Sequence, residues 1–219
     1  MKKTLCLATL LFLGSAQAAP VFYTDRGLFE AQLNSFTTID FEGIVADNSY
    51  SSLTSSMTID NVTFSTSSGT LGVSGQSAGV SGAPYNSALL FSNNSGTLTA
   101  DLTSAGSGFT AIGGFFGDID SSGNSFTLSL FGSSGLLDTQ SLTAADMGLG
   151  SPSMFYGWIV NSGDVTKVVH DLNGNFEGID DLTFGVAGSA PAPVPAPMSI
   201  ALLGLGLVGI NFLRKKKTA

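Results

Sequence analysis

Between residues 20 and 187 the chain is a succession of short apolar runs, each ended by Gly, Ser, Asn or Asp before it reaches helical length. That punctuation is the strongest constraint on the fold. Ser125-Phe126-Thr127-Leu128-Ser129-Leu130 alternates strictly, which puts Phe126, Leu128 and Leu130 on one face of a strand. Thr38-Ile39-Asp40-Phe41-Glu42 alternates too, with Ile39 and Phe41 on one side and the two acids on the other. Further strands are expected at 62–64, 88–91, 97–103, 111–116, 136–142, 155–160, 165–170 and 181–186. Around ten short strands without intervening helices predict a mainly β fold, an antiparallel β-sandwich of jelly-roll-like type. The 16 phenylalanines can fill its core.

One short helix is expected near the start of this body. Thr24 can cap it, Asp25 suits its positive end, and Leu28, Phe29 and Leu33 form an apolar stripe. Residues 65–87 hold seven Ser and five Gly, which leaves room for one strand near 71–73.

Charge divides the chain differently. Lys2 and Lys3 open it and Arg214, Lys215, Lys216 and Lys217 close it, so only Arg26 and Lys167 remain between. Residues 19–213 therefore carry two cations against all 16 carboxylates, a net −14. Such a surface repels phosphate backbones, which argues against nucleic acid as a partner.

The two ends read as addresses. Residues 1–18 have the form of a signal peptide: the lysine pair, an apolar Leu5–Leu13 run, and Ala16-Gln17-Ala18 before a cut between Ala18 and Ala19. The only cysteine, Cys6, would leave with it, and with it any thiol nucleophile or disulfide. Residues 19–187 are the ectodomain. Residues 188–197 contain four prolines and form a stiff Pro/Ala linker. Residues 198–213 lack charge and predict a transmembrane helix, about 24 Å long at 1.5 Å per residue. Residues 214–219 are a basic cytoplasmic tail, which places the body outside. These features predict membrane anchoring through the C-terminus, followed by a cell-surface or extracellular location.

The order of Val194-Pro195-Ala196-Pro197, Ala201-Leu202-Leu203-Gly204-Leu205-Gly206-Leu207 and Arg214-Lys215-Lys216-Lys217 resembles the PEP-CTERM sorting signal. That signal occurs in exported proteins of Gram-negative bacteria that make extracellular polysaccharide. The resemblance implies two partners, the export machinery and an exosortase, a membrane protease-transpeptidase that reads the Pro-Glu-Pro motif. Pro195 and Pro197 match, and Ala196 stands where glutamate is usual. In the body, Tyr23-Thr24-Asp25-Arg26 with Phe29-Glu30, Thr38 to Ile44, Phe115-Phe116-Gly117-Asp118 and Gly178 to Phe184 resemble the uncharacterised ectodomains often joined to this tail. Those look like jelly-roll modules of the carbohydrate-binding or lectin sort, with no settled activity.

Candidate chemistry is sparse. His170 is the only histidine. Asp171 follows it directly and, in a strand, points to the opposite face, which makes it a poor orienter for a serine triad. His170 is expected on the surface or on an edge strand. A glycosidase needs two facing carboxyl groups, and Glu42 with Asp181 is the pair to test. Calcium is the candidate cofactor. Asp118 and Asp120, spaced two apart before Gly123, resemble half of a calcium loop, although Ser129 occupies the distal acidic position. The alternative is a plain hairpin turn between strands 111–116 and 125–131. A second ion could join Asp40 or Glu42 to Asp180 or Asp181, if the first and last strands lie together. Tyr156 and Trp158 share one face of their strand. Exposed, they could stack on sugar rings; buried, they are core. The expected function is a non-catalytic matrix or glycan-binding protein, not an enzyme; the alternative is a polysaccharide hydrolase.

Overall fold

The computed structural model describes residues 19–75, 87–93, 96–118, 125–142, 153–161, 164–172 and 177–188. The chain divides after Ala187 into two units, and of the second only Gly188 is described. Among the described residues no helix is long and apolar enough to cross a membrane. Residues 198–213, with the expected spanning helix, lie outside them, as do the signal peptide through Ala18, Pro195, Pro197 and Arg214–Lys217.

The body is built of antiparallel strands in two sheets arranged as a sandwich. Its elements are β1 (Val21–Tyr23), α1 (Arg26–Glu30), β2 (Leu33–Ile39), β3 (Ser56–Ile59), β4 (Val62–Thr66), β5 (Leu71–Ser74) and β6 (Leu89–Ser92). They continue with β7 (Thr97–Asp101), β8 (Ala111–Asp118), β9 (Phe126–Gly132), β10 (Gly135–Leu142), β11 (Ser153–Ile159), β12 (Val165–Leu172) and β13 (Glu177–Ala187). The seven-stranded sheet runs β1-β11-β8-β13-β6-β5, with β2 also on β13. The six-stranded sheet runs β10-β9-β12-β7-β4-β3.

Alternation explains the sandwich. In the six-stranded sheet, Phe64, Leu98, Phe126, Leu128, Leu130 and Val168 all turn inward. They meet Ile112, Phe116, Tyr156, Trp158, Ile179 and Leu182 from the other sheet in one continuous core. Each fully buried side chain of this size contributes about 1.5–3 kcal/mol. The hairpin expected between 111–116 and 125–131 does not form. β8 and β9 belong to different sheets. Alternation sets which face of a strand is apolar but not which partner strand it takes.

The seven-stranded sheet is also covered on part of its outer face. Asp25, not Thr24, caps α1: its Oδ1 accepts the Leu28 amide at 2.8 Å. Of the expected stripe only Phe29 is buried; Leu28 is 64% exposed and Leu33 belongs to β2. Phe29 packs with Phe155, Ala111 and Ile159 in a small second cluster. A Cβ at Gly157 would stand 3.0 Å from the Phe29 ring, so glycine there lets the helix sit down on the sheet.

β13 organises the rest. Its first residues, Gly178 and Ile179, pair with Phe91 and Leu90 of β6. From Leu182 it pairs instead with β2, Leu182 opposite Ile39. On its other edge β8 stays alongside, with a register shift between Asp180 and Thr183. Asp181 sits in that bulge with φ +47°. The strand expected to reach Glu42 ends at Ile39, because the chain turns at Phe41 with φ +58°. Phe41 still reaches the core, as its alternation predicts.

Candidate functional site

The bulge brings acids from distant parts of the chain to one place. Asp180 is buried; its Oδ2 accepts the Ser87 hydroxyl at 2.6 Å and its Oδ1 the Asp181 amide at 2.7 Å. Glu42 Oε1 accepts the Ala88 amide at 2.9 Å, one residue from Ser87. Asp181 Oδ2 accepts from Arg26 Nη1, and Arg26 Nε donates to Glu30 at 2.7 Å. The Arg26 guanidinium also lies 5.9 Å from the centre of the Phe115 ring.

Charge in the cluster follows from that geometry. Burial pushes the Asp180 carboxyl up to about 7; the Ser87 bond opposes the rise, while the charges of Asp181 and Glu42 add to it. Burial works against the Arg26 charge, yet Glu30 and Asp181 outweigh it and push its pKa up. The site thus holds one easily protonated carboxyl, Asp180, beside the acids Glu42, Asp181 and Glu30 and one permanent cation.

The sequence reading placed Glu42, Asp180 and Asp181 near one another, and the structure does bring them together through the β2–β13 pairing. Asp40 plays a different part: it is exposed, and its Oδ1 accepts the Glu42 amide at 3.1 Å in the turn after β2. Among the described residues no three His, Cys, Asp or Glu side chains are grouped to hold a metal ion. Asp118 ends β8 opposite Glu177, and Asp120 lies outside the described residues. Arg26 and Ser87 went unnoticed as members of the cluster. Arg26 carried a signal, since it is one of two cations in the body. Ser87 carried none.

Two readings need correction. Tyr156 and Trp158 are both fully buried, so neither ring is available to stack on a sugar. They lie on the inner face of β11, where Phe22 and Phe126 pack on them. The Trp158 indole N–H donates to Asp138 Oδ2 of the opposite sheet at 2.8 Å, satisfying its one polar atom. His170 is neither at the surface nor at an edge. β12 lies between β7 and β9, and the ring is wholly buried against Phe126 and Phe116 at 5.0 and 5.9 Å. Among the described residues neither ring nitrogen has a hydrogen-bond partner, and burial lowers its pKa to about 3. A neutral imidazole sealed in the core cannot serve as a base for an external substrate.

No family model and no curated protein matches the chain. Among solved structures it is similar to the CBM51-2 and INT domains of ZmpB from Clostridium perfringens, at 11% identity and a TM-score of 0.36. The match covers 59% of this chain and 30% of that one. At that level the likeness decides neither fold nor function.

Proposed function

We propose that this chain is an exported, non-catalytic β-sandwich protein of the extracellular polysaccharide matrix, held at the cell surface or released from it, with a capacity to bind glycans. Residues 1–18 direct export. Residues 198–213 with Arg214–Lys217 form the transient membrane anchor, and Pro195 and Pro197 mark the site read by an exosortase-type enzyme. The body is a jelly roll: β6-β13-β8-β11 faces β7-β12-β9-β10, so its last eight strands are shared equally between the sheets.

One observation carries the non-catalytic reading. Among the described residues, the three clustered carboxyls each hold an internal partner: Asp180 has Ser87, Glu42 has the Ala88 amide and Asp181 has Arg26. A retaining or inverting pair needs free oxygens facing a sugar from two sides. These oxygens instead tie β2, α1 and the start of β6 to the β13 bulge.

Fractionation with mass spectrometry tests the export half. The released chain should begin at Ala19 and end near residues 194–197, and Pro195→Ala or Pro197→Ala should leave a longer, membrane-retained form. A chain that keeps Met1 and stays in the cytoplasm would overturn the proposal.

A further inference from the structure

The outer face of the six-stranded sheet is rich in hydroxyl side chains. Across its middle row, the strand register aligns Ser65, Thr99, Val169, Ser129 and Thr139 on successive strands. The next row aligns Thr97, Asp171, Thr127 and Ser141. All of these are half-buried or exposed, while their strand neighbours Leu98, Ala100, Leu128, Leu130 and Val168 are buried. The result is two patches of hydroxyls, on β4–β7 and on β9–β10, flanking Val169 and Asp171 of β12, with neighbouring strands about 4.8 Å apart.

The charge on this face is nearly balanced. Among the described residues, the charged side chains on the outer face of its strands are Asp101, Lys167 and Asp171, a net −1 on a body of net −14. Lys167 lies 4.6 Å over the Phe131 ring, so the one aromatic on the face is already covered. Recognition here rests on hydroxyls and methyls rather than on ring stacking.

We propose that this face docks an extended, uncharged polysaccharide, a proposal that rests on the glycan-binding reading above. A polyol can exchange hydrogen bonds with Ser and Thr hydroxyls one for one, and along the Ser65–Thr139 row it meets no charged side chain. Threonine side chains on strands are confined to few rotamers, so the patches are preorganised and little order is lost on binding. Val169 and the threonine methyls offer apolar contact to the carbon–hydrogen faces of sugar rings. An anionic polymer would meet the repulsion of the surrounding carboxylates.

The test uses the mature protein, a soluble uncharged β-glucan and a uronate polymer, with binding measured by affinity electrophoresis. Thr99→Glu with Ser129→Glu puts two charges beside Val169. It should weaken β-glucan binding at least tenfold, while Asn34→Glu on exposed β2 leaves it unchanged. Thr139→Glu, on the exposed edge strand β10, is the milder variant should the double change lower the melting midpoint. Wild-type binding that both sets of variants leave intact would overturn this face and leave the glycan-binding reading standing. Wild-type protein that binds neither polymer would overturn both. Preference for the uronate polymer, or a wild-type dimer that Thr99→Glu with Ser129→Glu dissociates, would assign the face another occupant and overturn the proposal.

Discussion

Arg26 donates to Asp181 across 155 residues of sequence, joining the first helix to the bulge of the last strand. The same guanidinium holds Glu30, so one cation serves two carboxylates where the body has only two cations in all. The pair is about one-third exposed on each side, so its direct contribution is about 1 kcal/mol or less.

Arg26→Ala should therefore lower the melting midpoint by a few degrees, about 2–4 °C for each kcal/mol in a chain of this size. Removing the cation also leaves Glu30 and Asp181 without their shared partner. Millimolar calcium, against sodium chloride of matched ionic strength, should then stabilise the variant more than the wild type. Equal responses in both proteins would mean that Arg26 is not the counter-ion of this cluster.

Asp180 and His170 give stability opposite pH dependences. Asp180, at about 7 when folded against 3.8 when unfolded, keeps a proton that the unfolded chain sheds. Its contribution is full below about pH 3.8 and is lost as pH rises through 7. His170, at about 3 when folded against 6.5 when unfolded, binds its proton only in the unfolded chain. It costs nothing above pH 6.5 and destabilises progressively as pH falls toward 3. Between about pH 4 and 6.5 the two proton counts cancel, and denaturant unfolding should show little pH dependence from this pair. Asp180→Asn should expose the histidine, with stability falling in acid by about 1.4 kcal/mol per pH unit at most. A variant whose stability is as flat as the wild type would contradict this assignment.

Backbone contact decides the cost at Gly185. A Cβ there would stand 2.1 Å from the Ser35 carbonyl oxygen and 2.7 Å from Phe36 Cα, both on β2. Gly185→Ala must push β2 away from β13, for about 1–3 kcal/mol or more. Gly27→Ala on α1, where the nearest atom is the Asp25 side chain at 3.3 Å, should cost far less. Equal melting midpoints for the two variants would show that β2 can shift freely.

Much of the fold could be read in advance because burial here follows period two. Phe126, Leu128 and Leu130 are buried where their alternation places them, and Ile39 and Phe41 likewise. β1 and β3 escaped notice because they are only three and four residues long and half-exposed. Sheet membership was hidden because β8 and β9 look alike locally whether they pair or part. The burial of His170 was hidden too: a register shift between Val165 and Lys167 resets the phase of β12, and a lone polar residue reads as exposed. The approach of Glu42 to Asp180 and Asp181 was legible as an end-strand pairing. The bulge that aims these acids at Ser87 and Arg26 was not, because it depends on β13 changing partners from β6 to β2.

The central claim is that the body binds polysaccharide without cutting it. Incubating the mature protein with matrix polysaccharide from a Gram-negative producer, then assaying co-sedimentation and new reducing ends together, tests it most directly. Protein should appear in the polysaccharide pellet, with no reducing ends above the untreated control. Reducing ends that appear with wild-type protein and vanish with Glu42→Gln or Asp180→Asn would contradict it, and so would protein that stays wholly in the supernatant.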